Sequence, residues 1–139
     1  MEFEIAKEKA MKYLILAKKT EQEVRNKLKK IGCEEQVAEE VITYLTKLGY
    51  IDDHDYVDAY IRQCMRLLNY SVYEIKQKLL QKGIKKCIME EKLEQLKESD
   101  YEKKLIEKLR KGKCKSMEEI KLKQYLYRRG LCSASMSEE

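Results

Sequence analysis

The chain has 139 residues, of which 43% are hydrophobic and 40% charged, and its formal net charge is +5. A disordered chain would carry fewer Leu, Ile, Val and Tyr residues, so the composition indicates a folded protein with a strongly charged surface. Proline is absent and glycine occurs only five times. An all-β chain of this size would need many more turn residues, and we therefore expect an all-α fold.

The sequence also excludes several kinds of location and site. No apolar run approaches the roughly 20 residues of a membrane span, and the acidic start at Glu2 and Glu4 is unlike a signal peptide. Five widely spaced cysteines and a single histidine, His54, do not form the clustered ligand set that zinc needs. We therefore expect a cytoplasmic protein with free thiols, no membrane association and no bound metal.

Apolar residues recur at the spacing of an amphipathic helix along almost the whole chain, which predicts eight helices. Their ends carry an uncertainty of roughly two to four residues. The predicted ranges, in chain order, are 4–18, 21–31, 34–48, 53–68, 72–82, 85–97, 100–112 and 117–129.

Local signals mark most of these helix ends. Four sites fit a capping box, in which a Ser or Thr and an acid three residues later bond each other's amides: Thr20 with Glu23, Ser71 with Glu74, Ser99 with Glu102, and Ser116 with Glu119. A fifth start has Asp52 as the cap, with Ile51 and Tyr56 spaced to form a hydrophobic staple. Left-handed ends are predicted at Gly32, Gly49, Gly83 and Gly130, and at Asn69 before Ser71.

An internal repeat organises the helices into three-helix units. An aliphatic residue, a Leu four positions later and a Gly four positions after that recur in three places: Val24-Leu28-Gly32, Ile75-Leu79-Gly83 and Leu122-Leu126-Gly130. Such a period is typical of stacked arrays. We expect tandem three-helix repeats in an elongated, curved, solenoid-like array: unit one at 1–50, unit two at 51–98, an incomplete two-helix unit three at 99–131, and a disordered tail at 132–139.

The second helix of each unit is basic, whereas the third helix of unit one is acidic. The basic residues include Lys18, Lys19, Arg25, Lys27, Lys29 and Lys30 in unit one, Lys76, Lys78, Lys82, Lys85 and Lys86 in unit two, and Lys121, Lys123, Arg128 and Arg129 in unit three. If the units stack alike, these residues form a basic stripe suited to DNA or an acidic protein surface. The alternative is a solvated face whose lysines only complement helix dipoles.

Residues that could carry catalysis are scarce. There is no glycine-rich phosphate loop, and no paired carboxylates stand in an active-site context, so we predict no catalytic residue, no cofactor and no enzymatic activity. The acidic group Asp52, Asp53, Asp55 and Asp58 could bind a divalent cation. Its place at a predicted helix start favours capping and dipole compensation instead.

One motif resembles a known family. Residues 48–62, with the sequence Leu-Gly-Tyr-Ile-Asp-Asp-His-Asp-Tyr-Val-Asp-Ala-Tyr-Ile-Arg, resemble the signature of the RecX family of RecA-recombinase regulators. The resemblance continues through 71–84, upstream through 10–32 and downstream through 125–131. Three features depart from the family pattern: Ala59 falls a place or two away, Asn69 stands where glycine is common, and the last helix of the third unit is absent.

The resemblance implies a protein of DNA recombination, repair and the SOS response that binds the RecA–DNA filament. Family members lie in the filament groove, block its extension, and lower ATP hydrolysis and strand exchange. It implies contacts to RecA or DNA from Arg62, Arg66, Lys76, Lys78, Lys82, Lys85, Lys86, Lys121, Arg128 and Arg129. A structural role at the unit junction is implied for Tyr50, Ile51, Asp52, Asp53 and Tyr56.

Two alternatives stay open beside RecA regulation. The chain would act on DNA without RecA if the stripe bound phosphates alone, with weak affinity for single- or double-stranded DNA. It would be an interaction scaffold if its charges only kept it soluble. The sequence favours a monomer in each case.

Overall fold

The computed structural model describes residues 1–131, and in that range the chain forms eight α-helices and no strand. Their bounds are α1 Phe3–Leu16, α2 Glu21–Lys30, α3 Glu35–Lys47, α4 Asp53–Leu67, α5 Val72–Gln81, α6 Lys86–Glu98, α7 Tyr101–Lys111 and α8 Glu119–Arg128. The all-α prediction is confirmed, and every predicted helix end falls within two residues of the observed one. The predicted tail at 132–139 lies outside the described residues.

Three apolar clusters form the core, one for each set of helices. Val24 and Leu28 lie in the first cluster, with residues from α1 and α3, and are fully buried. The corresponding aliphatic residues of α5 lie in the second cluster, with α4 and α6, and those of α8 in the third, with α7. Three residues cross the predicted boundaries: Ile51 packs in the first cluster, Tyr101 in the second, and Leu68 against the third as well as the second. Adjacent units therefore share side chains where they meet.

Four helices in the described range are followed by a glycine whose backbone is left-handed, as predicted. At each one the following amide bonds back to a carbonyl five residues earlier, as Cys33 does to Leu28 at 2.9 Å, which is the Schellman arrangement. The prediction for Asn69 is wrong. Leu68 takes the left-handed conformation instead, with φ of 48°, and its amide bonds to the carbonyl of Cys64 at the end of α4.

Two of the four predicted capping boxes are confirmed, and two are wrong. Thr20 with Glu23 and Ser71 with Glu74 form both reciprocal bonds. Ser99 instead ends α6, and its hydroxyl donates to the Leu96 carbonyl. In the last helix the N-cap is Glu118, two residues beyond the predicted Ser116. The acids of the two incorrect boxes have other partners: Glu102 accepts from the amide of Val72, and Glu119 pairs with Arg110.

No helix in the described range is long and apolar enough to cross a membrane. The described cysteines are free thiols: Cys33, Cys64 and Cys114 are buried and Cys87 is exposed.

Candidate functional site

The second helices of successive units meet end to end through their cap residues. The Thr20 hydroxyl, at the start of α2, donates to the carbonyl of Lys82 at the end of α5, with 2.7 Å between the oxygens. The Ser71 hydroxyl, at the start of α5, donates in the same way to the carbonyl of Arg129 at the end of α8. Each junction thus satisfies a C-terminal carbonyl and sets the negative end of one helix dipole against the positive end of the next.

An ion pair repeats beside each of these hydrogen bonds. Lys82 Nζ lies 3.6 Å from a carboxylate oxygen of Glu23, and Arg129 Nη2 lies 2.8 Å from one of Glu74. Arg129 also donates to the backbone carbonyl of Asn69 at 2.6 Å. The basic residue is in both cases the C-cap of its helix, and the acid is the third residue of the helix it meets. The side chain and the backbone of one residue therefore contact the same helix end.

The pKa values reflect these pairs. Burial on its own raises the pKa of the Glu74 carboxyl, but the hydrogen bonds from Arg129 and Ser71 outweigh it, so that the pKa is lowered. Burial opposes the charge of Lys82, yet hydrogen bonding to Tyr56 and the nearby Glu23 carboxylate raise its pKa overall. Glu74 and Lys82 are therefore each stabilised in their ionised form.

A carboxylate from the first helix of the following unit completes each junction. Asp53 Oδ1 accepts from the amide of Glu21 at 2.9 Å, and Glu102 Oε2 accepts from the amide of Val72 at 3.0 Å. These amides belong to the first residues of α2 and α5, where no partner exists within the helix. Burial, which outweighs the hydrogen bond from Glu21, raises the pKa of Asp53.

The two helix-ending glycines at the junctions are closely covered. A Cβ on Gly83 would lie 2.3 Å from the Cβ of Gln22, and one on Gly130 would lie 2.5 Å from the Cβ of Tyr73. Gly32 has the same left-handed backbone, but a Cβ there would meet nothing within 4 Å. Gly83 and Gly130 therefore allow one helix to approach the next, in addition to ending their own helices.

The junction residues that the resemblance implied have different environments. Ile51 is buried, whereas Tyr50 is exposed. Asp52 caps α4 by accepting from the amide of Asp55 at 3.1 Å. The ring of Tyr56 is stacked on Tyr60, with 6.3 Å between centroids, and lies under the Lys82 ammonium.

The predicted contact residues separate into two groups. Lys82 and Arg129 belong to the junctions, Lys78 lies over the ring of Tyr70 at 4.5 Å, and Lys76 lines a groove against α6. The others are exposed: Arg62, Arg66, Lys85, Lys86, Lys121 and Arg128. Within this second group, Lys85 also lines a groove with Asp52 and Asp53, and Arg62 acts electrostatically on Asp55.

The acidic group at the start of α4 is dispersed among separate partners. Beyond the contacts of Asp52 and Asp53 described above, Asp55 pairs with Lys18, and Asp58 pairs with Lys92 at 2.8 Å. In residues 1–131 no cluster of three or more His, Cys, Asp or Glu side chains is arranged to hold a metal. The carboxylates instead cap α4 and tie it to neighbouring helices.

Sequence reasoning did not identify the contacts that join the units. A signal was present, because Thr20 and Glu23 stand 51 residues before Ser71 and Glu74. A helix cap that recurs with the repeat is a candidate for contact between repeats. The role of Glu102 had no such signal, since its spacing from Ser99 fits a local capping box.

Comparison with known proteins identifies the family. The model of the first three-helix domain of RecX matches residues 6–45, and that of the second matches residues 52–93. The chain belongs to the RecX family. It is similar to the regulatory protein RecX of Clostridium tetani, with 37% identity over 119 residues that cover 84% of this chain and 54% of the relative. RecX of Clostridium acetobutylicum is 36% identical over 63% of this chain and 40% of its own length.

Solved RecX structures share the architecture. RecX from Lactobacillus salivarius matches with a TM-score of 0.82 and 26% identity, covering 98% of this chain and 92% of that one. A second RecX crystal structure matches with a TM-score of 0.81 and 29% identity, over 98% of this chain and 71% of that one. The RecX likeness in structure therefore includes α7 and α8, although the chain spans only about half the length of the curated relatives above.

Proposed function

We propose that this chain is a regulator, without catalytic chemistry or a cofactor, of the RecA recombinase. It binds RecA or its filament on DNA and mostly inhibits filament growth, ATP hydrolysis and strand exchange. It acts in the cytoplasm as a monomer. Membership of the RecX family supports the identity of the partner, and the alignment of the second helices supports the binding surface.

The end-to-end order of α8, α5 and α2 is the observation that carries the surface. Because each helix end abuts the next, the exposed bases near these helices follow one another in the order α8, α5 and α2. They include Lys30 of α2, Lys85 and Lys86 after α5, and Lys121 and Arg128 of α8. A line of cations suits a partner with a regular line of negative charge, as DNA phosphates or a filament surface provide.

The junction contacts decide which bases should be tested. Reversing Lys82 or Arg129 would break an ion pair between units, so a loss of inhibition would not separate binding from folding. Lys85, Lys86 and Arg128 are exposed and form no observed ion pair in residues 1–131. Their reversal should leave the fold intact and remove binding charge.

The test titrates the chain into RecA on single-stranded DNA and follows ATP hydrolysis. We expect the wild-type chain to inhibit below equimolar amounts, and the variant Lys85→Glu/Lys86→Glu/Arg128→Glu to need at least tenfold more protein. The control reverses two exposed lysines of unit one, Lys9→Glu/Lys47→Glu, and should inhibit like the wild type. Equal inhibition by all three proteins would exclude the line of bases as the binding surface.

A DNA-binding module acting without RecA is the second candidate, because the same cations would bind phosphates directly. A DNA-only assay separates the two functions. DNA binding that falls steeply with salt, together with no effect on RecA hydrolysis, would establish the second function in place of the first.

A further inference from the structure

The linker between α4 and α5 contains a strained residue. Leu68 has φ of 48° and ψ of 56°, and it is the one residue other than glycine in the range 1–131 whose φ is positive. This left-handed conformation is unfavourable for an L-residue, because it brings the Cβ atom against the backbone. A strained residue persists only where the surrounding contacts determine its conformation, and such residues cluster in segments that switch.

The strained residue is held by unit three. Lys108 Nζ, on α7, donates to the carbonyl of Leu67 at 2.9 Å and to the carbonyl of Leu68 at 3.2 Å. The side chain of Leu68 packs against the apolar cluster of unit three as well as that of unit two. Unit three therefore contacts both the backbone and the side chain at the point of strain.

The next two carbonyls of the linker also bond to unit three. The buried Tyr101 hydroxyl donates to the carbonyl of Tyr70 at 2.6 Å. Burial raises the pKa of Tyr101 to about 12, so the hydroxyl keeps the proton that it donates. Arg129 donates to the carbonyl of Asn69. We call the side chains of Lys108, Tyr101 and Arg129 the clasp, and together they hold the four successive carbonyls of residues 67–70.

The corresponding linker between α1 and α2 has neither the strain nor these contacts. The residues 51 positions before Tyr101 and Lys108 are Tyr50, which is exposed, and Val57, which has no polar side chain. The residue that ends α1 is Ala17, and its backbone is extended, with φ of −172°. Within the described range the strain therefore occurs at the linker that the clasp holds.

We propose that the clasp makes the α4–α5 linker a conformational switch. While unit three is docked, the clasp holds Leu68 in the left-handed conformation, and α4 ends there. When unit three is released, Leu68 returns to the right-handed conformation and α4 continues into the linker. Leu67 and Leu68 are good helix formers, and no glycine stands in residues 67–71 to end the helix. The direction of α5 relative to α4 changes as a result.

The consequence of this switch for binding rests on the proposed function. Arg129 belongs both to the clasp and to the junction of α8 with α5, so the end-to-end order of these helices exists only while unit three is docked. A partner that binds the exposed bases near both helices at once therefore favours the clasped form. A weaker clasp should lower the affinity even where no charge is removed.

Hydrogen exchange of the Val72 amide measures the release of unit three, because this amide bonds to the Glu102 carboxylate. With the amides of α2 as the internal reference, we expect Tyr101→Phe, which loses a buried donor, to speed exchange about tenfold. Lys108→Met loses an exposed donor, so about threefold is expected. The matched control is Lys104→Met on the same helix, whose carboxylate partner stands four residues earlier, and it should exchange like the wild type.

A second pair of variants tests the strain itself. Leu68→Ala and Leu68→Gly both remove most of the packing of this side chain, but only glycine adopts the left-handed conformation without strain. We expect the Val72 amide to exchange about tenfold faster in Leu68→Ala than in Leu68→Gly. Equal exchange in the two variants would overturn the switch, as would exchange that Tyr101→Phe and Lys108→Met leave unchanged.

The link to binding has a separate measurement. The exchange experiments use the chain alone, so their outcome does not depend on RecA. In the RecA assay described above, Tyr101→Phe should need about threefold more protein than the wild type for equal inhibition, because part of the binding energy restores the clasp. If the wild type inhibits and Tyr101→Phe inhibits equally, the clasp does not control binding. If the wild type does not inhibit, the proposed function is wrong, and the exchange results still decide the switch.

Discussion

The two junctions between second helices share one hydrogen-bond plan and differ in the basic residue. At the first, between α5 and α2, Lys82 approaches Glu23 at 3.6 Å. At the second, between α8 and α5, Arg129 approaches Glu74 at 2.8 Å and also reaches a backbone carbonyl. A guanidinium presents several donors in a fixed plane, whereas an ammonium is a single point charge. The second junction therefore has the more specific contact.

The more specific contact, that of Arg129, joins the unit with the smaller core. Unit one has a third helix to stabilise it, since α3 packs on both α1 and α2. Unit three has two helices in the described part of the chain and a smaller apolar cluster. A unit with less core of its own depends more on contacts with its neighbour. The Arg129 contacts supply such support where the core is smallest.

The largest expected effect comes from removing the close approach that both junctions share. Gly83→Ala or Gly130→Ala adds a methyl group to a left-handed residue and also overlaps the side chain above it. We expect each to lower the free energy of unfolding by about 2–5 kcal/mol, from about 1–2 kcal/mol of backbone strain and about 1–3 kcal/mol of overpacking. Urea denaturation followed by circular dichroism measures the change.

Gly32→Ala is the matched control for the glycine variants. Its backbone strain is equal, but nothing lies within 4 Å of the added carbon, so about 1–2 kcal/mol is expected. Equal losses at all three glycines would show that the approach of one helix to the next contributes no stability.

The ion pair of Arg129 with Glu74 should contribute more to stability than the longer ion pair of Lys82 with Glu23. Arg129→Met keeps the apolar length of the side chain but leaves Glu74 and the carbonyl of Asn69 without this partner. We expect a loss of about 1–3 kcal/mol. Lys82→Met removes a longer and more exposed contact, so we expect at most about 1 kcal/mol. Equal losses in urea denaturation would contradict the difference that we infer between the junctions.

The sequence was sufficient where the signal is local. Thr20, Ser71 and the four helix-ending glycines were predicted correctly, because their bonds lie within a few residues of themselves. Ser99 and Ser116 fit the same rule but form no capping box, and Ser99 accepts only from the amide of Tyr101, at 3.2 Å. Helix ends also respond to packing by residues far along the chain. Leu68 shows the same limit, because its left-handed backbone is unfavourable for its residue type and is imposed by the tertiary fold.

The candidate surface was less predictable than the fold. The charge pattern grouped Lys82 and Arg129 with exposed bases, yet their acids lie more than 50 residues away. No single-sequence rule pairs residues at that distance. The repeat itself was the usable signal, because a pair that recurs between units suggests a structural contact, whereas the exposed bases vary from unit to unit.

The smallest expected effect is a difference between the junctions in acid. The pKa of Glu74 is lowered in the folded chain, so its stabilising contribution is present above its usual pKa of 4.5 and is lost as the pH falls through the folded value. The pKa of Asp53 is raised, so Asp53 favours the folded chain while it is protonated. This stabilising contribution is lost as the pH rises. Acid should therefore weaken the second junction more than the first.

Hydrogen exchange of the α8 amides measures this effect, with α2 as the internal reference. We expect protection of α8 to fall between pH 5 and pH 3, after correction for the intrinsic exchange rate, and protection of α2 to fall less.

The pair of Asp55 with Lys18 acts on α4 in the same sense as Glu74, because Lys18 lowers the pKa of Asp55. It lies at the surface, so its contribution should be small. In Arg129→Met the additional loss at α8 should shrink, because Glu74 then keeps only the hydrogen bonds of Ser71 to lower its pKa. If the acid sensitivity of α8 were unchanged in this variant, the Arg129 pair would contribute nothing to it, and the difference between the ion pairs would not explain the difference in acid.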